Sequence, residues 1–392
     1  MKKKGLNQND IKIRNRSKIL KILRNESEIS RKDLADKLEL TKAAISSLIS
    51  ELINEKIIIE QGIKDTGVSG RKKIILELNS DYAYALGLSI SETHINLVVS
   101  NILGEKKDEF FYEFTNMKNI NNEDILKLII EKSLYLLWKN NIEKIKVIGF
   151  GITCVGELSI VDIEYIKENL EKNLEIKVIA DNNVKALAIA QMDFGYIKLS
   201  NDFLFVKYGP GLGMAIIQNG VIVNGATHQA GEIGYTIADI NANTYCRCGR
   251  KGCLESLISE KGIVEDIMKL NGNYSDIIIN KNLSILNYNK INSLLENNDE
   301  NIKKIFEYRY EYLAKSLANT IILLNPEYLC VFGSVFSQPY IMNMIHEKIN
   351  RYLGTHLDVE LILSDIKPEN TTIGAVALVL RNYFYNKGGY IE

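Results

Sequence analysis

The sequence predicts an α/β chain with a short, mainly helical N-terminal module that carries a β-hairpin, followed by two successive halves in which strands alternate with helices. Three observations predict it. The first 55 residues place apolar side chains at i, i+3, i+4 spacing, the signature of amphipathic helices. Two strand-like runs flanking a glycine-containing loop come next. From Tyr82 onward, short apolar runs alternate with helical periodicity, and the pattern restarts near Phe203.

In the first segment Ile19, Leu20 and Leu23 share one helical face, and Asn25 to Ile29 turn the chain. Ser30 with Asp33 forms a capping-box pattern that opens a second helix through Leu38, with Leu34, Ala35 and Leu38 as its apolar stripe. After Glu39-Leu40, Thr41 can cap a third helix whose Ile45, Leu48, Ile49, Leu52 and Ile53 face inward. The opposite face shows Lys42, Ala43, Ser46, Ser47 and Ser50. Small, hydrogen-bonding side chains at the start of a third helix, after a tight turn, let a helix approach the major groove and donate to base edges. The strands Ile57 to Gln61 and Lys73 to Leu78, joined by a loop ending in Gly70, Arg71 and Lys72, complete a winged helix-turn-helix. Thr41, Lys42, Ser46 and Ser47 are candidates for base contacts. Arg16, Arg31, Arg71 and Lys72 are candidates for contacts to phosphate or the minor groove.

Charge supports that reading. Residues 1–79 hold 18 Lys and Arg against 11 Asp and Glu, a net +7, whereas the rest of the chain holds 30 against 38, a net −8. A basic arm on an acidic body points to a polyanionic partner for the arm alone. A solvated charge run, or a helical segment that only mediates dimerisation, is the bland alternative.

Beyond the arm, Ala83 to Ile90, Ile95 to Ile102, Lys146 to Ile152 and Val178 to Asp181 read as strands, with helices over Asn122 to Asn140 and Asn183 to Phe194. The second half has strands at Phe203 to Tyr208, Gly213 to Gln218, Val221 to Asn224 and Tyr328 to Phe332, and a long helix near Lys303 to Leu324. The expected domains are residues 1–80, 81–200 and 201–392. At 392 residues and 46% hydrophobic, the chain has room for a sizeable core in each. No apolar run approaches the roughly 20 residues needed to span a bilayer, so no membrane partner is expected and the chain is placed in the cytoplasm. Five cysteines, three of them clustered, fit metal binding better than a disulfide framework, and Cys154 and Cys330 read as buried thiols.

The cluster is Cys246, Cys248 and Cys253 in C-R-C-G-R-K-G-C-L-E, after H-Q-A-G-E-I-G-Y at 228–235. Three thiols at that spacing can point at one metal. These segments, with S-G-R-K-K and L-E-L-N at the exit of the wing, resemble the ROK family, named for its repressors, open reading frames and kinases, and in particular its xylose-repressor branch. The resemblance spans the whole chain. It implies a duplicated actin-like (RNase H-like) sugar-kinase fold behind the winged helix-turn-helix, with ligand bound between the halves. It also implies a structural zinc at Cys246, Cys248 and Cys253. Tyr235 stands where the family carries a metal-ligating histidine, so Tyr235, His228 or water is left as the fourth ligand.

Set against the family's kinases, the chain departs at three places. In G-L-S-I-S-E-T-H-I, Ser89 stands where the first phosphate loop has an aspartate, and Ser91-Glu92 replace its glycine pair. In G-P-G-L-G at 209–213, Pro210 replaces a threonine and removes a hydroxyl and an N–H donor; a tight hairpin turn is the simpler expectation. In A-D-N-N-V-K, Asn182 and Asn183 occupy the asparagine-aspartate pair, and an amide cannot take a proton from a sugar hydroxyl. The resemblance keeps Glu232 and Glu255 as acceptors for sugar hydroxyls, joined by Asn182 and Asn183 as the effector-binding set. The expectation is therefore a non-enzymatic DNA-binding regulator of carbohydrate-related genes, a repressor, acting as a homodimer or higher homo-oligomer on double-stranded operator DNA with a small sugar as effector. The alternatives are an ATP-dependent sugar kinase carrying a DNA-binding arm, and an interaction scaffold without DNA affinity.

Overall fold

A computed structural model describes residues 7–64, 73–91, 93–114, 121–155, 161–195, 201–270, 274–280, 285–355 and 357–391. In chain order the N-terminal module comprises α1 (Gln8–Asn25), α2 (Arg31–Leu38), α3 (Lys42–Asn54), β1 (Ile58–Lys64) and β2 (Lys73–Leu78). There follow β3 (Tyr84–Ile90), β4 (His94–Asn101), β5 (Lys106–Glu113), α4 (Asn122–Lys139), β6 (Val147–Cys154), α5 (Ile163–Leu174), β7 (Val178–Asn182) and α6 (Asn183–Phe194). Next are β8 (Phe203–Tyr208), β9 (Leu212–Gln218), β10 (Val221–Ile222), α7 (Leu254–Ile258), α8 (Glu260–Met268), β11 (Ile278–Asn280), β12 (Ile285–Leu286) and α9 (Tyr288–Glu296). The chain continues through α10 (Glu300–Leu324), β13 (Tyr328–Phe332), α11 (Pro339–Leu353), β14 (Glu360–Leu363) and α12 (Ile373–Val379). Among the described residues, no helix is long and apolar enough to cross a membrane.

Two compact units emerge, residues 1–194 with 371–392, and residues 195–370. The last 22 residues, expected in the second half, therefore belong with the first. The reason is packing: α12 lies directly on β3 and β6. A side chain at Gly151 of β6 would collide with the Ala375 carbonyl, and one at Gly374 would meet the Ala186 backbone of α6. Glycine at these two points allows helix and sheet, and helix and helix, to approach more closely than any side chain would permit.

The caps that start α2 and α3 are those the sequence predicts. Ser30 accepts from the Asp33 amide while Asp33 accepts from the Ser30 amide, and Thr41 accepts from the Ala44 amide at 3.2 Å. Ile19, Leu20, Leu34, Ile45, Ile49 and Leu52 are buried among the three helices and the β1–β2 hairpin, which pairs Ile58 with Leu78.

Behind the module, one sheet has the order β5-β4-β3-β6-β7: β3, β4 and β5 form an antiparallel meander, and β6 and β7 run parallel to β3. The second unit repeats the plan as β10-β9-β8-β13-β14, with β13 and β14 parallel to β8. This repetition is the duplicated actin-like architecture. The strand β5 has no counterpart in the sequence reading because its run K-K-D-E-F-F-Y-E is mostly exposed and charged, as suits an edge strand.

Candidate DNA-binding face, hydroxyl-binding residues and cysteine knuckle

On α3, Ile45, Leu48, Ile49 and Leu52 are buried, and Lys42, Ala43, Ser46, Ser47 and Ser50 are exposed along with the cap Thr41. The structure thus gathers Thr41, Lys42, Ser46 and Ser47 at the N-terminal end of one open helix face. Arg31 stands nearby on α2, half-buried, paired with Glu60 at 2.9 Å and 3.5 Å from the Ser50 hydroxyl. Arg71 and Lys72 lie outside the described residues.

Arg16 is a correction. Its side chain is 0% exposed, so it is not a phosphate contact. It donates through Nε to the Gly388 carbonyl at 2.8 Å and through NH1 to Glu55 at 2.8 Å and the Tyr390 hydroxyl at 2.9 Å. Its NH2 is also bonded to Glu55, and its guanidinium carbon lies 4.0 Å from the Tyr390 ring centroid. Sequence alone could not separate a buried cation from an exposed one, because two of the partner groups, Gly388 and Tyr390, lie 372 and 374 residues away.

In the first unit, Asn182 caps α6: its Oδ1 accepts from the amides of Val184 at 2.8 Å and Lys185 at 3.4 Å. Asp181 is also exposed and accepts from the Asn182 amide at 2.7 Å. Asn183 is buried at the first turn of the helix. The β3–β4 turn is closed on itself: the Ser91 hydroxyl accepts from the amides of His94 at 3.0 Å and Thr93 at 3.3 Å. Those are donors that a phosphate-binding turn would keep free. Glu92 lies outside the described residues.

In the second unit, Tyr208 pairs with Leu212 and the Gly209 amide donates to the Gly211 carbonyl at 2.9 Å, so the glycine loop is a tight β8–β9 hairpin. Lys207 was not anticipated. It is buried, and its ammonium donates to the carbonyls of Gly209 at 2.8 Å and Pro210 at 3.5 Å. Burial pulls its pKa down to about 8, against the opposing pull of Glu260 and Glu255. A lysine at the end of an apolar strand is the only sequence signal it gives.

Glu255 is largely buried and accepts from the Leu212 amide at 3.2 Å; it also pairs with Arg247 at 3.3 Å. It borders a cavity of about 230 Å³ that is also lined by Tyr208, Pro210, Ser259, Glu260 and Lys261. Glu232 is exposed beside the turn at Ile233–Tyr235.

The cysteine knuckle is a turn in which the Cys246 amide donates to the Arg250 carbonyl at 2.8 Å and the Gly249 amide to the Cys246 carbonyl at 2.9 Å. The thiols of Cys246, Cys248 and Cys253 lie within 4.8 Å of one another, a donor set that fits a soft divalent metal. A hydrogen bond from Arg250 pulls the exposed Cys248 thiol down to about 6, favouring the ligating thiolate. His228 is exposed and stands outside this group. The Tyr235 carbonyl accepts from Arg250 at 3.0 Å.

A winged helix-turn-helix on a duplicated kinase-like body defines the class of a sugar-kinase-derived regulator. Residues 151–382 match the ROK family and residues 14–59 match a winged helix-turn-helix DNA-binding family, and the chain belongs to the ROK family. It is similar to the xylose repressor of Caldicellulosiruptor bescii, 26% identical over 391 residues and covering 93% of this chain and 95% of that one. The DNA-binding transcriptional dual regulator NagC of Escherichia coli K12 is 23% identical over 386 residues, covering 95% and 93%. Among solved structures, a ROK family transcriptional regulator described as a homolog of the E. coli MLC protein aligns over 97% of each chain with a TM-score of 0.78 at 21% identity. The ROK hexokinase of Thermus thermophilus aligns over 75% of this chain and 97% of its own, at 18% identity, with a TM-score of 0.61.

Proposed function

We propose that this chain is a DNA-binding transcriptional repressor of carbohydrate-related genes whose kinase-like body senses a sugar without phosphorylating it. The observation that carries the reading is a pairing within one chain. An open recognition face, Thr41, Lys42, Ser46 and Ser47, accompanies a body whose Asn182 and Asn183 offer no carboxylate to act as base. The self-closed Ser91 turn and the proline in the Gly209–Gly213 hairpin support it, because both reduce the amide donors that a nucleotide phosphate needs.

The relative named as a xylose repressor supports a sugar as the ligand class. Asn182 and Asn183 in one unit, and Glu232 and Glu255 in the other, supply amide and carboxylate groups of the kind that hold ring hydroxyls. Thr41, Lys42, Ser46 and Ser47 read base edges, and Arg31, Arg71 and Lys72 position the module on phosphate or in the minor groove. A homodimer would place two such modules on a palindromic operator with half-sites about one helical turn, or a multiple, apart. Cys246, Cys248 and Cys253 would hold one structural zinc that braces the knuckle, and the protein would work in the cytoplasm.

The test is titration of DNA from the region upstream of the protein's own gene, with D-xylose, N-acetyl-D-glucosamine and D-glucose added in turn, beside coupled detection of ADP release. Specific binding altered by one sugar without ADP release is expected. Sugar-dependent ADP release that disappears in Glu232→Ala would return the kinase reading.

A further inference from the structure

Asp193, at the last turn of α6, has a side chain only 4% exposed. Two cations from distant parts of the chain grip it. Arg381, just past α12, makes a two-pronged contact, Nε to Oδ2 at 2.8 Å and NH2 to Oδ1 at 2.7 Å. Arg24, in the last turn of α1, reaches Oδ1 at 2.9 Å and lies 4.5 Å from the Tyr385 ring centroid. Lys21, one turn earlier on α1, donates to the Asn386 side chain at 2.7 Å. With the Arg16 contacts to Gly388 and Tyr390, α1 is fastened at two levels to the C-terminal segment and at one to α6.

Such a clasp makes the DNA-binding module a part of the first unit rather than a domain on a tether. Removing a carboxylate from between two guanidiniums whose side chains are only 4% and 16% exposed leaves both without their acid, which is costlier than losing an exposed ion pair. α6 has 12 residues, about 18 Å at 1.5 Å per residue, and it begins at Asn183, next to its cap Asn182. One end therefore carries two of the candidate hydroxyl-binding amides, and the other carries the acid that holds α1.

We propose that Asp193 is the positioning residue for DNA binding: through Arg24 and Arg381 it sets the orientation of α1, and hence of α3, against the body. That α6 also relays the state of its Asn182–Asn183 end rests on the sugar-sensing reading above. The docking role does not.

The experiment is hydrogen–deuterium exchange on the full-length protein, wild type against Arg24→Gln, Arg24→Lys and Asp193→Asn, with operator-DNA titration of each. Arg24→Gln leaves the Asp193–Arg381 pair in place, so the body keeps its fold. Exchange in residues 8–25 is expected to rise about tenfold in Arg24→Gln and less in Arg24→Lys. The amides of β3, β4 and β6 are expected to stay unchanged, and operator affinity to fall in the same order. Unaltered exchange in residues 8–25, or a rise spread evenly through β3, β4 and β6, would overturn the proposal. If D-xylose, N-acetyl-D-glucosamine and D-glucose all fail to alter operator binding by the wild type, the sugar-sensing reading fails, and the exchange result alone decides the role of Asp193.

Discussion

The Nε of Arg16 donates to the main-chain carbonyl of Gly388 at 2.8 Å, joining the first helix of the DNA-binding module to the far end of the chain. Gly388 and Gly389 both have left-handed φ, +67° and +83°, and a side chain at Gly389 would press against Ile57 and Leu20 in the module's core. The terminal segment therefore completes that core, and the charge of Arg16 is spent on architecture.

Arg16→Ala is accordingly expected to act on stability. Removing a buried guanidinium that donates to Gly388, Tyr390 and Glu55 leaves a cavity and unmade hydrogen bonds and should cost about 2–4 kcal/mol, seen as a lowered thermal midpoint. Arg31→Ala, which removes only a partly exposed ion pair with Glu60, should leave the midpoint nearly unchanged and reduce the slope of log Kd against log salt by about 1. A reduced salt slope in any folded Arg16 variant would contradict the assignment.

Ser46→Ala and Ser47→Ala remove a hydroxyl from the exposed face of α3 without touching the core. Each should weaken specific operator binding by about 1 kcal/mol, roughly fivefold, and leave binding to unrelated DNA unchanged. Competition titration with both DNAs measures the difference.

The Asp193 clasp predicts an acid limit. Burial alone would raise its pKa, but Arg24, Arg381 and Lys21 override that and hold it below the ordinary 3.8. A carboxyl so depressed contributes stability that is fully present above its ordinary value and is lost as pH falls through the folded-state value. Exchange in residues 8–25 should thus be insensitive to this group above about pH 5 and should accelerate on acidification below 3.8, relative to β3. Asp193→Asn should lack this acid-dependent step.

Restoring a carboxylate by Asn183→Asp should not create a kinase. The Ser91 turn and the proline-bearing hairpin remain poor in free amide donors, so ADP release across a hexose and pentose panel should stay at background. For the knuckle, metal analysis of the purified protein should find about one zinc per chain. Cys253→Ser should lose it, and protease cleavage between residues 236 and 253 should rise in step.

The helices of the module and most strands were legible in the sequence because caps and apolar periodicity are local: Ser30, Asp33 and Thr41 act on residues three positions away. The open face of α3 and the cysteine trio were legible for the same reason. What sequence could not supply was long-range. Arg16 and Arg31 look alike in a basic stretch, yet one is enclosed by Glu55, Gly388 and Tyr390, and the other keeps solvent access beside Glu60. Asp193 and Lys207 gave little to read, since a lone charge at the end of a helix or strand does not declare its role until its partners arrive. The C-terminal residues were assigned to the second half by order along the chain, whereas Gly151 and Gly374 let α12 pack in the first.

The most direct test of the central claim is fluorescence anisotropy of labelled DNA from the region upstream of the protein's own gene, titrated across a salt series with and without D-xylose, N-acetyl-D-glucosamine and D-glucose. The account predicts tight, salt-steep binding that exceeds binding to unrelated DNA and is weakened by one of the sugars. Equal affinity for both DNAs, with or without sugar, would contradict it.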